Sequence, residues 1–415
     1  MPLKMVNFLV GENSSGKTSI LALLGLISSF DYWQTLDFNS PNYEFGGFKD
    51  IISVSSEKDS FSFGLSEERM DKATGKKNHY SYLLMFKEKE SLPFLYYFSF
   101  LANNKLVSMR AEEETYSYCI KELDIDTSTT DTSSLFRMLE EPLTLDKSYY
   151  KTTGRKTPAR IGLWTLFYWL ESPPSDQLSP MFELFLEVGA RLSHMAWFAP
   201  IRTRPKRTYD GYGRTFSPEG EHTPYLIRKY FASKEKAMKF SNALKYFGDH
   251  SGLFRKIIIK NFGRDATAPF ELKVILSKDA LRLNSVGYGV SQVLPLVVEM
   301  ILRGKGSWYA IQQPEVHLHP RAQAALGDLI YQMSERENKR FLIETHSDFT
   351  INSFRINLKK NINHKTDAQV LYFERSKKGN IIYQVPILEN GAYSENQPKH
   401  FRDFFIKEQL ELLSL

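Results

Sequence analysis

The 415-residue sequence predicts an α/β fold in which both ends of the chain contribute strands to one largely parallel sheet. Near the start, an apolar run at residues 5–10 leads into a glycine-rich loop and then into a helical pattern. In the second half, apolar strand patterns at 307–311 and 340–343 flank a helical pattern at 321–337. Such alternation is typical of a parallel sheet with helices packed on its faces.

The glycine-rich loop at residues 11–18 reads Gly-Glu-Asn-Ser-Ser-Gly-Lys-Thr, which is the spacing of a phosphate-binding P-loop. Gly11 and Gly16 let successive backbone N–H groups face one oxyanion at the positive end of the following helix. Lys17 then reaches the β- and γ-phosphates of a nucleoside triphosphate, and the Thr18 hydroxyl offers a ligand to Mg²⁺. The order of strand, loop and helix makes a chance glycine-rich turn the weaker interpretation. The candidate phosphate-binding residues are Gly11, Asn13, Ser14, Ser15, Gly16, Lys17 and Thr18.

The middle of the chain has a different texture. Between residues 61 and 125, short runs rich in β-branched and aromatic residues alternate with polar or glycine-containing breaks, which predicts an antiparallel meander. These runs cover residues 61–63, 80–86, 93–101, 105–109 and 116–120. A polar loop is predicted at 124–134. Helical patterns then follow at residues 159–170, 181–195 and 223–247.

Composition limits the class of protein. Hydrophobic residues make up 42% of the chain and charged residues 25%, as in an ordinary globular protein. The lone cysteine, Cys119, excludes an intramolecular disulfide framework and predicts a reducing, cytoplasmic location. The most apolar stretch, 161–170, is too short to span a bilayer, so we expect no membrane partner. The net charge of +6 is compatible with a nucleic-acid partner but does not require one.

Three further motifs lie in the second half. Residues 286–295 read Val-Gly-Tyr-Gly-Val-Ser-Gln-Val-Leu-Pro, and Ser291 at a helix start recreates an anion-binding helix N-terminus. Residues 311–320 read Ile-Gln-Gln-Pro-Glu-Val-His-Leu-His-Pro, and residues 343–348 read Ile-Glu-Thr-His-Ser-Asp. Both follow predicted strands, and open α/β sheets place ligand groups at such strand ends.

In this order, the motifs resemble those of ABC-type ATPases of the overcoming-lysogenisation-defect (OLD), SMC and RecF-like group. The closest likeness is to compact bacterial predicted ATPases related to the ATPase subunit of the Septu anti-phage system. Further matching segments lie at residues 45–50, 199–202, 220–221 and 390–405. The resemblance implies an ABC-type P-loop NTPase fold with an antiparallel β subdomain and an inserted helical lid or arm.

The same resemblance implies a division of the chain into four segments. Residues 1–60 and 251–415 would form the two parts of the ATPase core. Residues 61–125 would form the antiparallel β subdomain, and residues 126–250 a mostly helical insertion or lid.

The resemblance also implies ATP and Mg²⁺ as cofactors. Ser291 and Gln292 would belong to a signature loop that completes the ATP site of a second protomer. His346 would be a switch histidine at the γ-phosphate, with a buried core imidazole as the alternative. The D-loop region would cross the dimer interface, although its histidines could instead bind metal or lie at the surface. Its residues are Pro314, Glu315, His317 and His319.

The sequence departs from the superfamily pattern at Gln312 and Gln313, where two adjacent acidic residues normally follow the Walker B strand. A neutral amide accepts no proton and is a poorer ligand for a hard cation than a carboxylate. Gln312 is nevertheless the candidate metal residue beside Thr18. The sequence still predicts an ATP hydrolase, and the two amides leave open whether its hydrolysis is slow or impaired. The candidate catalytic residues are Gln313, Glu315 and His346.

Two nearby carboxylates, Glu315 and Glu344, could substitute for the missing acidic pair, or serve in capping or interface pairing. The basic segment 202–209, with Arg214 beyond it, could contact the phosphates of ATP or of nucleic acid, or form a solvated loop. Tyr209 and Tyr212 would then be available for stacking.

The resemblance implies a homodimer or higher homo-oligomer formed through ATP sites. Nucleotide state would be coupled to a separate effector protein, a nuclease or toxin, in anti-phage defence or DNA metabolism. Two alternatives remain at the level of the sequence. The first is an ATP-dependent scaffold that hardly hydrolyses its nucleotide, and the second is a DNA-repair ATPase that acts directly on DNA.

Overall fold

The computed structural model describes most of the chain. The described residues are 2–40, 43–52, 59–70, 77–102, 104–112, 115–123, 131–145, 150–156, 162–163, 195–211, 213, 215–361, 363–376, 379–395, 397–398 and 400–401. The helices predicted at 159–170 and 181–195 lie outside the described residues, apart from residues 162, 163 and 195.

Seventeen strands and nine α-helices are formed within the described residues. The strands are β1 Val6–Gly11, β2 Asn39–Ser40, β3 Tyr43–Glu44, β4 Ser60–Met70, β5 Lys77–Lys89, β6 Leu92–Ala102, β7 Lys105–Ala111, β8 Thr115–Glu122, β9 Lys151–Lys156, β10 Ala196–Phe198, β11 Lys256–Asn261, β12 Phe270–Ile275, β13 Ala280–Arg282, β14 Trp308–Gln312, β15 Arg340–Glu344, β16 Ala368–Ser376 and β17 Gly379–Ile387. The helices are α1 Lys17–Ile27, α2 Phe30–Thr35, α3 Phe48–Ile51, α4 Thr132–Glu140, α5 Thr223–Phe231, α6 Lys234–Ser251, α7 Tyr288–Leu302, α8 Pro320–Glu337 and α9 Asp348–Lys360.

A six-stranded sheet joins the two ends of the chain, in the order β10-β14-β15-β1-β16-β17. All neighbouring pairs are parallel except β16 and β17. The predicted parallel sheet is confirmed, and β1 lies between two strands from the second half. Every residue of β1 is buried, as expected for a parallel strand with both faces covered.

Alternate residues of β1 separate the two layers of the core. Val6, Phe8 and Val10 belong to one buried cluster, which also contains side chains of α7, α8 and α9. Leu9 belongs to a second cluster, together with Leu21 of α1 and several aromatic residues of the antiparallel sheet. The glycine-rich loop therefore follows a strand that has one of these two clusters packed on each of its faces.

The predicted antiparallel meander is confirmed as a second six-stranded sheet, β4-β5-β6-β7-β8-β9. It reaches further than the runs at 61–120, because β9 pairs with β8. The predicted polar loop at 124–134 ends earlier than expected, since α4 begins at Thr132. The Asp131 carboxylate caps this helix by accepting hydrogen bonds from the backbone N–H groups of Ser133 and Ser134 at 2.9 and 3.1 Å.

The helix predicted at 223–247 is two helices, α5 and α6. Ser233 between them has an extended backbone (φ −101°, ψ 116°), which interrupts the helical hydrogen bonding. A three-stranded sheet, β11-β12-β13, follows α6 and precedes α7, the helix that carries the motif at 286–295. Among the helices of the described residues, none has the length and apolar character needed to cross a membrane.

Candidate nucleotide-binding site

The loop between β1 and α1 has a backbone that only glycine adopts readily at two positions. Gly11 has φ +136° and Gly16 has φ +92°. A Cβ atom at Gly11 would lie 2.1 Å from the Phe373 carbonyl oxygen, so β16 also excludes any side chain there. These two glycines shape the loop as the sequence pattern predicts.

Lys17 lies inside this loop. Its ammonium donates hydrogen bonds to the carbonyl oxygens of Gly11 (2.9 Å) and Glu12 (2.5 Å), so the loop closes around the charge. Burial lowers the pKa of Lys17, while the negative charges of Glu344 and Glu12 act in the opposite direction. Ser15 is buried and its hydroxyl donates to the Glu12 carbonyl at 2.7 Å, whereas Asn13 and Ser14 are exposed. The structure thus brings all the predicted loop residues together at the N-terminus of α1.

Thr18, Gln312 and Glu344 meet beside the loop. The Thr18 hydroxyl donates to Glu344 Oε2 at 2.9 Å, and the Gln312 side-chain amide donates to Thr18 Oγ1 at 2.9 Å. Gln312 and Glu344 are partners in the parallel register of β14 and β15. The predicted pair of Thr18 and Gln312 is therefore in direct contact, and a carboxylate completes the group.

Glu315 holds the segment that follows β15. Its two carboxylate oxygens accept hydrogen bonds from the His346 backbone N–H (2.6 Å) and the Thr345 hydroxyl (2.9 Å). Burial raises the pKa of Glu315 above its usual 4.5, although these hydrogen bonds oppose the rise. Glu315 therefore fixes the backbone that follows β15 at Thr345 and His346.

His346 follows Thr345, and its side chain is exposed on one side while the rest of the ring is covered by the protein. Burial of its ring and the positive charge of Lys17 lower the pKa of His346 below its usual 6.5, while Glu344 opposes them. These effects favour the neutral imidazole, which has both a hydrogen-bond donor and an acceptor.

Gln313 follows β14 in a left-handed turn, with φ +41°. Its backbone N–H donates to the Glu344 carbonyl oxygen at 2.8 Å and continues the pairing with β15. A residue other than glycine in this region of backbone space is uncommon. The turn carries the chain from β14 toward Glu315.

The predicted signature residues have partners within the same chain. Ser291 and Gln292 are 7% and 1% exposed, and the Ser291 hydroxyl donates to the Tyr288 carbonyl at 2.8 Å. Among the described residues, no hydrogen bond joins residues 285–292 to the loop at 11–18. The exposed groups at the start of α7 are instead Ser285, Gly287 and Tyr288.

Arg202 lies beside the site, although the sequence placed it only in a matching segment, 199–202, and in the basic segment 202–209. It is 1% exposed, and its guanidinium donates to the carbonyl oxygens of Pro200 (3.3 Å) and Gln312 (3.4 Å). Burial lowers the pKa of Arg202 to about 10, against the charge of Glu315. The solvated-loop interpretation is wrong for Arg202, since its side chain is buried. The hydrophobic pattern of the sequence around it gives no signal of this burial.

The rest of the basic segment is mixed. Arg204, Lys206 and Arg207 are exposed, whereas Tyr209 is 6% exposed and packs on Phe270, so it is not available for stacking on a base. Tyr212 and Arg214 lie outside the described residues.

His317 and His319, for which metal binding was an alternative, each have another contact within the described residues. His317 is exposed and contacts the Tyr288 ring, while the His319 imidazole accepts a hydrogen bond from the Ala322 backbone N–H at the start of α8. Within the part of the chain that the structure describes, no group of three or more His, Cys, Asp or Glu residues could hold a metal ion.

The donor set of the loop fits a magnesium nucleotide. The Lys17 ammonium and the N-terminus of α1 supply positive charge for phosphate oxygens. The Thr18 hydroxyl and the Glu344 carboxylate supply the hard oxygen ligands that Mg²⁺ prefers.

Comparison with known proteins gives two sequence-family matches, one in each half of the chain. Residues 6–135 match the model described as AAA domain, putative AbiEii toxin, Type IV TA system. Residues 222–351 match the model described as AAA ATPase domain. These matches include the loop at 11–18 and the motifs at 286–295, 311–320 and 343–348, so each half contains a segment that is similar to AAA-type ATPase domains. No curated protein matches the sequence.

Solved SMC heads are similar at low identity. The SmcHead bound to the C-winged helix domain of ScpA is 12% identical, with 93% of this chain and 92% of that chain covered and a TM-score of 0.41. The Smc head domain with an extended coiled coil bound to the C-terminal domain of ScpA derived from Pyrococcus furiosus is 10% identical, with 99% and 94% covered and a TM-score of 0.37. The SMC head domain from Thermotoga maritima is 11% identical, with 93% and 92% covered and a TM-score of 0.36.

Proposed function

We propose that this protein is an ATPase of the ABC type that binds Mg²⁺ and ATP at residues 11–18 and dimerises around the nucleotide. The observation that carries this proposal is the enclosed Lys17 ammonium at the N-terminus of α1, with the Thr18 hydroxyl beside a buried carboxylate. Lys17 would contact the phosphates and Thr18 the metal, and the two residues are adjacent at the start of one helix.

Binding of a fluorescent ATP analogue tests the nucleotide site. Lys17→Ala removes the ammonium and is expected to weaken affinity at least tenfold. Lys360→Ala removes an exposed lysine from the end of α9 and is the matched control, with unchanged affinity expected. Equal affinities for the wild-type protein and Lys17→Ala would contradict the proposal.

The dimer would form head to tail, with the start of α7 of one protomer facing the loop of the other. Support comes from the exposed backbone at Gly287, which is the N-cap of α7, and from the contact between Tyr288 and His317 on the same surface. A helix N-terminus with free backbone N–H groups attracts phosphate oxygens.

Gly287 offers a clean test of this arrangement. A Cβ atom there meets nothing within 4 Å and φ is −56°, so Gly287→Glu is sterically tolerated within one protomer. The new carboxylate would repel the phosphates of a nucleotide held by a partner. Sedimentation with a slowly hydrolysed ATP analogue should show dimers for the wild-type protein and monomers for Gly287→Glu. Gly304→Glu, at another open glycine, is the control and should dimerise.

An ATP-dependent scaffold with little hydrolysis is a second candidate function. The observation that favours it is the pair of neutral amides at the end of β14, Gln312 and Gln313. A steady-state ATPase assay with Mg²⁺ compares the wild-type protein with Lys17→Ala. Turnover that disappears in the variant would exclude the scaffold.

Direct action on nucleic acid is a third candidate, favoured by the exposed side chains of Arg204, Lys206 and Arg207. Phosphate contacts of this kind weaken steeply as salt rises. Duplex and single-stranded DNA are titrated at two salt concentrations with the wild-type protein and with a variant in which all three residues are alanine. The wild-type protein should show salt-dependent binding, and the variant should lose it. No binding at low salt would exclude this candidate.

We also infer that nucleotide state is coupled to a separate nuclease or toxin effector, in anti-phage defence or DNA metabolism. The support is the order of motifs in the chain, which resembles ATPase subunits related to Septu. Cells that express this chain, the product of the neighbouring gene, or both can be challenged with phages. Protection that needs both genes and an intact Lys17 is expected, and equal protection by the neighbour alone would contradict the coupling.

A further inference from the structure

Glu344 places a buried carboxylate beside the end of β14, where the side chains of Gln312 and Gln313 are neutral. Its Oε2 accepts the hydrogen bond of the Thr18 hydroxyl at 2.9 Å, and its side chain is in the part of the sheet next to β1. The residue is 4% exposed. A carboxylate at this depth is costly unless positive charge or hydrogen bonds offset it.

The structure provides part of that compensation. Lys17 lies close enough to interact electrostatically with Glu344, and Thr18 donates to it. Gln312, the register partner of Glu344 on β14, faces the same hydroxyl with its amide N–H group. Thr18 Oγ1 is therefore shared between an amide donor on one strand and a carboxylate acceptor on the next.

We propose that Glu344 supplies the anionic ligand of the nucleotide-bound Mg²⁺ in this protein, directly or through a water molecule. Gln312 orients the Thr18 hydroxyl by donating to it, and the negative charge comes from the adjacent strand. Mg²⁺ prefers carboxylate oxygens, and one carboxylate together with phosphate oxygens and waters is a usual set for this ion. This inference rests on the proposed ATP site.

A charge exchange between the two register partners tests it. The affinity for a fluorescent ATP analogue is measured with Mg²⁺ and with EDTA, for the wild-type protein, Glu344→Gln, Gln312→Glu and the double variant that carries both changes. Glu344→Gln should lose at least tenfold of the Mg²⁺-dependent gain in affinity and keep its affinity in EDTA. The double variant should recover most of that gain, because it has one carboxylate at the same pair of strand ends.

Bound Mn²⁺ gives a readout that does not depend on the nucleotide signal. Electron paramagnetic resonance with Mn²⁺ and a slowly hydrolysed ATP analogue should show tight binding for the wild-type protein and the double variant, and weak binding for Glu344→Gln. An unchanged Mg²⁺ dependence in Glu344→Gln would overturn the inference while leaving the proposed function intact. No nucleotide binding by the wild-type protein would overturn the proposed function itself.

Gln312→Ala keeps the test decisive if Glu344→Gln fails to fold. If Glu344 is the anionic ligand, Gln312→Ala should retain the Mg²⁺ dependence to within about threefold, because only the orienting amide is lost. A loss in Gln312→Ala as large as that expected for Glu344→Gln would assign the metal to Gln312 and refute the proposal.

Discussion

Gln292 and Arg202 are joined by two hydrogen bonds between a side-chain amide and the main chain. Gln292 Oε1 accepts from the Arg202 N–H at 3.0 Å, and Gln292 Nε2 donates to the Arg202 carbonyl oxygen at 3.2 Å. The guanidinium of the same Arg202 reaches the Gln312 carbonyl oxygen. One buried residue thus connects the start of α7 with the end of β14.

Gln292→Leu should destabilise the protein by about 2 kcal/mol, because it leaves two buried main-chain groups of Arg202 without partners. The free energy of unfolding in urea measures this effect. Gln332→Leu is the control, since the Gln332 amide bonds the exposed Tyr246 hydroxyl, and its effect should be below about 0.5 kcal/mol. Similar losses in the two variants would show that the amide contact with Arg202 adds no specific stability.

Gln313→Glu should raise ATP turnover, because a carboxylate can accept a proton from water and an amide cannot. General-base catalysis typically contributes at least about 100-fold, and we expect an increase of at least tenfold. The left-handed turn at residue 313 accommodates Glu as it does Gln, since the two side chains have the same shape. Gln332→Glu in α8 is the control for added charge. Unchanged turnover in Gln313→Glu would show that a missing base at this position does not limit hydrolysis.

The sequence predicts the parallel core well because its signals are local. The apolar run before Gly11 and the glycines at fixed spacing are sufficient to define β1, the loop and the start of α1. The same holds for the antiparallel meander, where aromatic runs and polar breaks mark each strand. Helix ends are less certain, as shown by α4, which begins inside a segment whose polar composition is typical of a loop.

The environment of the site could not be predicted from the same signals. The burial of Arg202 depends on contacts with Gln292 and Gln312, which are far away in the sequence. The contact of Glu344 with Thr18 likewise depends on the register between strands from opposite ends of the chain. Registers of this kind are set by tertiary packing, so the sequence offered Glu315 and Glu344 equally as substitutes for the acidic pair and could not show that Glu344 is the one in contact with Thr18.

Gly11→Ala and Gly16→Ala should differ in their effect on stability. Both positions have positive φ, so each alanine has a backbone cost of about 1–3 kcal/mol. A Cβ atom at Gly11 also collides with the Phe373 carbonyl oxygen, whereas at Gly16 the nearest atom is 3.6 Å away, on Asn380. Urea unfolding should therefore show a clearly larger loss for Gly11→Ala. A loss at Gly16 equal to or above that at Gly11 would contradict the close approach of β16.

Glu299 on α7 should make the stability of the fold depend on pH. Its carboxylate contacts His222 Nε2 at 2.7 Å and pairs with Arg303 one helical turn later, and its side chain is 6% exposed. Burial acts to raise the pKa of Glu299, but the hydrogen bond from His222 and the charge of Arg303 outweigh it and lower the pKa below 4.5. His222 Nδ1 accepts a hydrogen bond from the Ser217 backbone N–H. The proton of the ring is therefore on Nε2, which donates a hydrogen bond to Glu299 Oε1.

A carboxyl group with a lowered pKa in the folded state binds its proton more readily when the chain is unfolded. The stabilisation is therefore fully present above pH 4.5 and is lost as the pH falls through the lowered value. Glu299→Gln should reduce the free energy of unfolding by about 3 kcal/mol at pH 7, because it removes the buried carboxylate that contacts His222 and pairs with the charge of Arg303. The difference from the wild-type protein should shrink when urea unfolding is repeated at successively lower pH below 4.5. Glu389→Gln removes an exposed carboxylate and is the control, which should follow the wild-type curve at every pH. A loss of stability in Glu299→Gln that stays constant across the pH series would show that the shape of the side chain, and not its charge, accounts for the loss.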